Sequence, residues 1–448
     1  MITSISIAAA SEARCQEAQQ PPRIVVSITI DKLTTTQVEK YARLYGDGGF
    51  RRCESEGMIW NNAFYTFAPV DRASSIATIV TGTTPYYNGI TGIRHFDRSM
   101  LQPVDGINGS AASILSSTIT DELKMATGGK GLVYSVAGDA NTAIITGGHA
   151  PDGVIYLDNG HWKATTSNSS SANLKWVNAF NKTSATSSPA ADENERLTAV
   201  AVQCVQSAGM GIDDICDILA VTYTATDSED GYATLDKSLS GLMTKIEETA
   251  GKGKALFVMA GTGCDNEATA DYEAYNIPTG TFNITRAQTL LNMYLGATYG
   301  EGKYAEGHFG NEIYLNRKLI EQRQLNETSI EEASAAFIMQ LSGVLNVHTR
   351  TSILTGKCPD KQVCNGFNIA TSGDIIIETA PGWKIVSEEL NESYTPRAAV
   401  PPFPIAFIGC GISKATTAEP VSADRIAPTI AKQIRIRAPN ACKAQPLF

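Results

Sequence analysis

The sequence lacks three features that would assign a protein of this size to a familiar class. No apolar run approaches the roughly 20 residues that a membrane-spanning helix needs. Basic residues are in the minority, with 36 Lys and Arg against 46 Asp and Glu and a net charge of -10, so no basic surface indicates a nucleic-acid partner. The nine cysteines never form a CxxC pair, which leaves a zinc ribbon without support. We therefore expect neither a transmembrane span nor a nucleic-acid partner.

The chain does contain enough apolar sequence for a large core. It has 448 residues, of which 43% are hydrophobic, and this length exceeds the usual size of one domain. One large domain with an inserted subdomain and two separate domains are both compatible with this composition.

The N-terminal segment differs from the rest of the chain. Residues 1–18 combine a short apolar stretch with small and polar residues, a pattern typical of a cleaved signal peptide. We predict an exported protein, located in the periplasm or associated with the outer membrane. No Lys or Arg precedes the apolar stretch, so a start further upstream stays open. Lipid modification of Cys15 is another alternative, although Arg14 fits a lipobox poorly.

Strand-like and helix-like segments alternate along the chain. Six short apolar, β-branched runs have the character of strands buried on both faces of a sheet: "RIVVSITID", "GLVYSVAGD", "TAIITGG", "DILAVTYTATD", "KALFVMAGTG" and "FPIAFIGCG". Amphipathic stretches lie between them, for example "LDKSLSGLMTKIEETAG", which ends at a candidate C-cap, Gly251. This alternation predicts an α/β fold, a doubly wound three-layer sandwich.

The pattern changes in the C-terminal half. From residue 282 to 374 the sequence predicts helices, loops and one short strand, as expected for an inserted α+β cap subdomain. The core then comprises residues 19–281 and 375–448. Within the cap, Cys358 and Cys364 share one polar loop. A local disulfide and two free thiols are both open for this pair.

Two carboxylates follow strongly apolar strands. In open α/β sheets the functional site lies beyond the carboxyl ends of the strands. Asp31 and Asp227 both stand at such ends, where they could share a divalent cation. Helix capping is the alternative for each, because strand-end Asp residues are common N-caps.

Seven strings occur in order along nearly the whole chain: "RIVVSITIDKL", "YGDGGFRRCESEGMIWNNAFYTFAP", "IVTGTTPYYNGITGIRHFDR", "GGHAPDGVIYLDNGHW", "GNEIYLNRKLIEQRQL", "APGWKI" and "SADRIAPTIAKQIRIRAPNAC". Together they resemble the alkaline phosphatase superfamily. The similarity is to its type I phosphodiesterase/nucleotide pyrophosphatase branch, with the phosphate-irrepressible alkaline phosphatases of Bacteroidetes-type bacteria. The resemblance implies the alkaline phosphatase-like sandwich, two zinc ions, and a Thr or Ser nucleophile at a helix N-terminus. There the helix dipole and backbone N–H groups favour an anionic phosphate.

The phosphate-handling positions depart from that pattern. The position of the nucleophile holds Arg72, whose guanidinium stays protonated and is no nucleophile. The Asn that would hold a phosphate oxygen is replaced by Ile93. The stretch that would supply a Lys and an Arg reads "AGDANTAII" and contains neither.

The metal positions depart as well. Asp31 and Asp227 match two ligands, but the His expected four residues after Asp227 is Gly231. The strand end that would supply an Asp and a His instead has Gly261 and Thr262. Zinc needs about three or four good ligands, usually including His or Cys. The resemblance therefore supports the fold and not the zinc chemistry, and no cofactor is expected.

We interpret the chain as an alkaline phosphatase-like pseudoenzyme that serves as a binding or scaffold component of an envelope protein complex, with a partner that the sequence does not identify. In this interpretation the Arg72 guanidinium lies between Asp31 and Asp227 and replaces the charge of the metals, because unpaired carboxylates in a cleft are costly.

Two other interpretations stay open. The first is an active phosphomonoesterase or phosphodiesterase with two zinc ions and relocated ligands. It would use Ser74 as the nucleophile, with Asp71 or His149 joining the two strand-end carboxylates. His149 is the one histidine expected near the cleft, and a role as a hydrogen-bonding loop residue is favoured for it. The second is a module in which Arg72, at a helix N-terminus, binds phosphate or another anion without cleaving it.

Overall fold

The computed structural model describes residues 20–166, 174–184, 192–264, 276–394 and 400–448. The expected signal segment, residues 1–18 with Cys15, lies outside the described residues.

The described chain alternates strands and helices through its first half. The strands are β1 Ile24–Asp31, β2 Met58–Phe64, β3 Arg94–Asp97, β4 Gln102–Asp105, β5 Val133–Ala137, β6 Gly153–Asp158, β7 His161–Thr165, β8 Asp217–Thr224, β9 Ala255–Gly261, β10 Gly280–Asn283, β11 Ala305–Phe309, β12 Glu312–Leu315, β13 Val344–Thr349, β14 Ile375–Thr379, β15 Trp383–Ser387, β16 Glu392–Tyr394, β17 Phe403–Gly409, β18 Ala415–Thr417 and β19 Val421–Ser422. The α-helices are α1 Thr35–Lys40, α2 Phe50–Glu56, α3 Arg72–Thr81, α4 Pro85–Asn88, α5 Ile119–Ala126, α6 Ala140–Gly147, α7 Lys175–Ser184, α8 Glu193–Ala208, α9 Glu229–Ala250, α10 Ile284–Tyr299, α11 Arg317–Gln322, α12 Glu327–Ile338, α13 Arg350–Leu354, α14 Lys361–Gly366 and α15 Ile426–Gln433. Among these helices, none is long and apolar enough to cross a bilayer.

The largest sheet has the strand order β18-β2-β17-β9-β1-β8-β5-β6-β7, with β19 also paired to β2. Strands β9, β1, β8, β5 and β6 run parallel to one another. Strand β17 is antiparallel to both β9 and β2, and β7 is antiparallel to β6. The predicted doubly wound α/β architecture is confirmed, with a mixed rather than a purely parallel sheet.

Both faces of this sheet are covered, as its apolar strands require. On β1, Ile24, Val26 and Ile28 pack in one core with residues of α8 and α9. Val25 points to the opposite core, which is built with α3, α6 and α15. This alternation gives the three layers, and it places the carboxyl ends of the parallel strands together at one edge.

The cap subdomain is built on two smaller sheets. One has the order β11-β12-β14-β13 and the other β10-β15-β16. They share a core with α10 and α12. The expected return to the core at residue 375 is wrong, because β14, β15 and β16 all pair within these cap sheets. The chain rejoins the large sheet at β17.

One predicted strand is a helix. The run Thr142–Gly148 was expected to be a buried strand, but it lies in α6. The Asp139 side chain caps this helix by accepting a hydrogen bond from the Thr142 N–H at 2.9 Å. A short apolar run has no periodicity that separates a buried strand from a buried helix. Here the N-cap Asp139 marks the run as a helix.

Candidate functional site

The candidate site lies at the carboxyl edge of the large sheet. Strand β1 ends there at Asp31, β9 ends at Gly261, and the helices α3 and α6 both begin there. A half-buried arginine at the start of α3 joins these segments.

Arg72 bridges two carboxylates. Its Nη2 donates to Asp139 Oδ2 at 2.6 Å, and its Nε lies 3.5 Å from Asp31 Oδ2. The Asp31 side chain is only 6% exposed, whereas that of Arg72 is 29% exposed. Burial raises the pKa of Asp31, and the nearby Arg72 charge opposes that rise. The arginine thus stabilises the ionised form of a carboxylate that burial alone would favour in the protonated form.

Thr262 forms a hydrogen bond with the other carboxylate oxygen of Asp31. Its hydroxyl donates to Asp31 Oδ1 at 3.0 Å and accepts from the Lys32 N–H at 2.9 Å. This threonine is fully buried. Both carboxylate oxygens of Asp31 therefore face protein groups, a hydroxyl on one side and a guanidinium on the other.

Asp227 does not take part in this site, which corrects the prediction that Arg72 bridges Asp31 and Asp227. Its Oδ1 accepts from Lys40 Nζ at 2.9 Å and from the Tyr41 hydroxyl at 2.7 Å. The side chain is 53% exposed, and these hydrogen bonds, first from Tyr41 and then from Lys40, lower the pKa of Asp227. Strand β8 ends at Thr224, and the following turn carries Asp227 away to the surface beside α1.

Sequence reasoning missed Asp139, the residue that takes this place. Like Asp31, it follows an apolar strand, β5, and its own backbone precedes a helix. The same strand-end rule that selected Asp227 also applied to Asp139. The same carboxylate caps α6 and forms an ion pair with Arg72. Helix capping and charge pairing are therefore not alternatives for this residue.

The positions of two expected metal ligands have no room for a side chain. A Cβ on Gly261 would lie 2.7 Å from the Leu33 carbonyl oxygen. A Cβ on Gly231 would lie 2.6 Å from the Thr226 carbonyl oxygen. Side-chain carbons essentially never approach backbone atoms so closely, so the backbone itself has closed over these positions.

Asp71 and Ser74 form the N-terminal capping box of α3. The Ser74 N–H donates to Asp71 Oδ1, and the Asp71 N–H donates to Ser74 Oγ, both at 2.9 Å. Asp71 Oδ2 also accepts from the Ile93 N–H at 2.6 Å. Burial raises the pKa of Asp71. Ser74 is fully buried in this arrangement, so its hydroxyl serves the helix terminus and does not face a substrate.

His149 lies at the other edge of the sheet, which corrects its expected place near the cleft. Helix α6 begins next to Asp139 at the carboxyl edge and leads back to the start of β6, so His149 follows its far end. The imidazole contacts Asp121 Oδ2 at 2.8 Å and the Ile114 carbonyl oxygen at 3.0 Å. The hydrogen bond with Asp121 raises the pKa of His149. Its contacts are those of a hydrogen-bonding loop residue.

Two further groups near Asp31 went unrecognised in the sequence, the Cys264 thiol and the Tyr65 hydroxyl, and both lie beside Ser75. Ser75 Oγ donates to the Arg72 carbonyl oxygen at 2.9 Å, and Cys264 Sγ lies 3.8 Å from Ser75 Oγ. Burial raises the pKa of Cys264 to about 12 and that of Tyr65 well above its usual range. The thiol of Cys264 and the hydroxyl of Tyr65 therefore stay protonated near neutral pH.

A cleft of about 490 Å³ adjoins the site on the cap side. It reaches the N-cap of α3 at Asp71 and is also lined by Ile93, which is 47% exposed. The cap contributes Phe309, Glu312 and other residues to its wall. The space between core and cap is thus retained, and a hydrophobic residue stands where the resemblance predicts an amide.

The residues around Asp31 do not fit a zinc ion. Its partners are a threonine hydroxyl and a guanidinium, neither of which replaces the His or Cys ligands that zinc prefers. A cation placed against Asp31 would also meet the Arg72 charge.

One group of three acidic side chains elsewhere in the described part of the chain has metal-like spacing: Glu327, Glu331 and Asp374, with oxygens within 4.8 Å of one another. It lies in the cap, and three arginines pair with it: Arg98, Arg317 and Arg350. These arginines already supply the positive charge that a metal ion would bring.

The two cap cysteines are free thiols, so the alternative with a preformed disulfide is not what the structure contains. Cys358 Sγ lies 3.3 Å from His348 Nδ1, and Cys364 Sγ lies 4.0 Å from the Cys358 carbonyl oxygen. Cys358 thus contacts the imidazole and Cys364 contacts the carbonyl oxygen, and no bond joins the two sulfurs.

Comparison with known proteins agrees with the architecture. Residues 25–400 match the family described as type I phosphodiesterase / nucleotide pyrophosphatase. The chain is 23% identical over 518 aligned residues to alkaline phosphatase PafA of Elizabethkingia meningoseptica, covering 95% of this chain and 94% of that protein. It is 24% identical to alkaline phosphatase PhoV of Synechococcus elongatus, covering 94% and 91%.

Solved structures give the same fold. The crystal structure of PafA superimposes with a TM-score of 0.82 at 23% identity, covering 96% of this chain and 99% of PafA. Murine ectonucleotide pyrophosphatase/phosphodiesterase 5 gives a TM-score of 0.55 at 12% identity, covering 94% and 96%. At these identities the likeness concerns the fold, and the chemistry depends on the residues described above.

Proposed function

Because this chain belongs to the type I phosphodiesterase/nucleotide pyrophosphatase family, we propose that it is a pseudoenzyme in which an internal ion pair takes the place of metal-dependent phosphate hydrolysis. The observation that carries the proposal is the position of Arg72 between Asp31 and Asp139. A permanently protonated group at the start of α3 offers no nucleophile.

The charges around Arg72 support a structural role. A buried carboxylate without a counter-charge is costly, and its pKa rises until it is neutral. Arg72 and the Thr262 hydroxyl satisfy Asp31 from within the chain. The site is therefore complete without an external cation.

The same charges disfavour the anion-binding alternative. Arg72 is paired with two aspartates, so the start of α3 carries more negative than positive side-chain charge. A phosphate placed there would have to displace Asp139, which holds Arg72 at 2.6 Å. No described contact favours that exchange.

The active alternative lacks its nucleophile and base. Ser74 is buried in the capping box, and His149 is at the opposite edge of the sheet. An active site assembled from these groups would require α3 to lose its N-terminal cap.

We further propose that the retained cleft binds or scaffolds a partner in the bacterial cell envelope. Support comes from the signal-like segment 1–18 and from the cleft of about 490 Å³ between core and cap. Cross-linked pull-down of the native complex, compared with a variant carrying Ile93→Glu in the cleft wall, tests this role. Loss of a specific partner from the variant is expected; equal recovery of all partners would contradict it.

Zinc content and hydrolysis test the loss of catalysis directly. Purified full chain is equilibrated with zinc, dialysed, and assayed with p-nitrophenyl phosphate and bis-p-nitrophenyl phosphate, with PafA as the positive control. We expect substoichiometric zinc and no turnover above a denatured sample. Stoichiometric zinc together with hydrolysis that Asp31→Asn abolishes would overturn the proposal.

A further inference from the structure

The thiols of Cys358 and Cys364 lie beside a histidine that no step of the proposed function uses. Cys358 Sγ is 3.3 Å from His348 Nδ1, and His348 Nε2 is 3.1 Å from Glu378 Oε2. Because Glu378 accepts at Nε2, that nitrogen carries the proton and Nδ1 is free to accept one. The imidazole is thus oriented as a base toward the Cys358 thiol.

The two cysteines are close to each other and accessible. Cys364 Sγ lies 4.0 Å from the Cys358 carbonyl oxygen, and both side chains are half-buried. They pack against a small apolar cluster that includes Val363 and Phe367. The pair is therefore held together, yet open to a small reagent at the surface of the cap.

We propose that Cys358 and Cys364 form a thiol–disulfide exchange site, with His348 as the base and low-molecular-weight disulfides as the reactants. The proton of Cys358 moves to His348 Nδ1, and the sulfur attacks one sulfur of a disulfide RSSR. This step forms the mixed disulfide and breaks the S–S bond of RSSR, and the leaving thiolate takes the proton back from His348 and departs as RSH. Cys364 then attacks Cys358 Sγ and releases the second RSH, so two protein thiols and RSSR yield one protein disulfide and two RSH.

The base is needed because of the surroundings of the thiol. Burial is the main cause that raises the pKa of Cys358, to about 12, so the free thiol is protonated near neutral pH. The thiolate is the attacking species in exchange. A proton acceptor at hydrogen-bond distance gives the Cys358 proton a place to go as the sulfur attacks. Cys358 Sγ also lies 3.5 Å from the Asp360 carbonyl oxygen, so the thiol has two acceptors and the imidazole is the nearer one. The half-buried thiols of Cys410 and Cys442 donate to backbone carbonyls.

The disulfide would fix a helix that contacts the loop before Arg72. Helix α14, which carries Cys364, contacts this loop directly. The Ala68 N–H donates to the Gln362 carbonyl oxygen at 3.0 Å, and Asn365 Nδ2 donates to the Thr66 carbonyl oxygen at 2.8 Å. Gly366 packs so closely on Ala68 that a Cβ would lie 2.1 Å from its carbonyl oxygen. Oxidation should therefore slow the opening of the segment 66–68.

Time-resolved exchange with oxidised glutathione tests the chemistry. The reduced full chain is incubated with the reagent, quenched with acid and alkylating agent, and mapped by peptide mass spectrometry. We expect the Cys358–Cys364 disulfide to form first, with Cys442 of the same molecule as the unassisted reference. Cys364→Ser should trap glutathione on Cys358, and Cys358→Ser should leave Cys364 no faster than Cys442.

The His348→Gln variant tests whether the imidazole accepts the proton of Cys358 or only lies near the thiol. It should slow the reaction of Cys358 by about tenfold or more while the rate at Cys442 stays unchanged. An unchanged Cys358 rate in His348→Gln, or a Cys358 rate equal to that of Cys442 in the parent chain, would overturn the proposal. The Cys364→Ser trap keeps the test decisive if the histidine variant folds poorly.

Hydrogen exchange tests the connection to the loop. Oxidation should slow exchange of the Ala68 amide, and reduction should reverse the change. Formation of the disulfide without any change at Ala68 would refute the connection to α14.

Discussion

Arg72 Nη2 donates to Asp139 Oδ2 at 2.6 Å, and this contact joins the first turns of α3 and α6 at the edge of the large sheet. The same guanidinium lies 3.5 Å from Asp31, at the end of the central strand β1. One side chain thus ties three segments that are far apart in sequence. Several expectations follow from this pairing and from the packing around it.

Replacing Arg72 should destabilise the fold through the carboxylate that remains. Arg72→Met should lower the free energy of unfolding by about 1–3 kcal/mol, because Asp31 is left buried without its counter-charge. In the Arg72→Met/Asp31→Asn double variant, part of this loss should be recovered, with a coupling of about 1 kcal/mol. Denaturant unfolding of the parent chain, the two single variants and the double variant measures this double-mutant cycle.

The matched control for that cycle is Arg23→Met. Arg23 pairs with Asp214 at 2.9 Å, but the Asp214 side chain is 91% exposed. Its loss should cost about 0.5 kcal/mol or less. A coupling between Arg72 and Asp31 no larger than that between Arg23 and Asp214 would mean that the buried pair does not stabilise Asp31.

Gly261→Ala should destabilise the protein by about 1–3 kcal/mol, the usual cost of forcing carbon atoms into filled space. The added Cβ would lie 2.7 Å from the Leu33 carbonyl oxygen. Gly296→Ala is the control, since that glycine lies in α10 with open space around it. The control should be stabilised by up to about 1 kcal/mol through helix propensity. Equal thermal stability of the two variants would contradict the steric argument.

Ser74→Ala should act on stability alone. Removing the hydroxyl breaks the capping box with Asp71, which should cost about 1 kcal/mol. Hydrolysis of p-nitrophenyl phosphate should stay at the background of the parent protein. Thr298→Ala, at an exposed position of α10, should change stability by less than about 0.5 kcal/mol. A measurable parental activity that disappears in Ser74→Ala would instead identify a nucleophile.

Stability should fall as the pH rises from about 4 to about 6, in part because of Asp217. Burial raises the pKa of this carboxyl from 3.8 to about 6. A carboxyl with a raised pKa in the folded state binds its proton more tightly there than in the unfolded chain. Its contribution to stability is therefore complete below the unfolded pKa and is lost as the pH rises through the folded pKa.

Urea unfolding between pH 4 and pH 7, compared between the parent chain and Asp217→Asn, isolates this contribution. Asp217 accepts hydrogen bonds from the Gly211 and Leu132 N–H groups, both at 2.7 Å, so the variant should be less stable throughout. The difference between the two proteins should nevertheless shrink toward pH 7. A difference that does not vary with pH would contradict the raised pKa.

The strands were predictable where the burial pattern is unambiguous. Strands β1, β8 and β9 are continuous apolar runs in the centre of the sheet, and they lie where the sequence predicts them. The run Thr142–Gly148 was mistaken for a strand because a buried helix of this length is equally apolar. Its N-cap, Asp139, was the available signal.

The sequence predicted an arginine paired with strand-end carboxylates, but it identified only one of the two carboxylates. The family resemblance placed Arg72 at the position of the nucleophile, where a charged residue needs a partner, and Asp31 is one of its two partners. Asp227 was the wrong partner because the turn after β8 carries it to the surface, whereas Asp139 follows β5 at the edge of the sheet. Distances across the sheet edge depend on such turns, which a single sequence does not specify.

The backbone at Gly231 and Gly261 also constrains the history that this chain can have. A substitution that restores one ligand would introduce a clash with a carbonyl oxygen before any metal could bind. Such an intermediate would fold less well and would gain no activity in return. A variant with ligands at both positions must therefore move the backbone there as well, so a single substitution at either glycine is not sufficient.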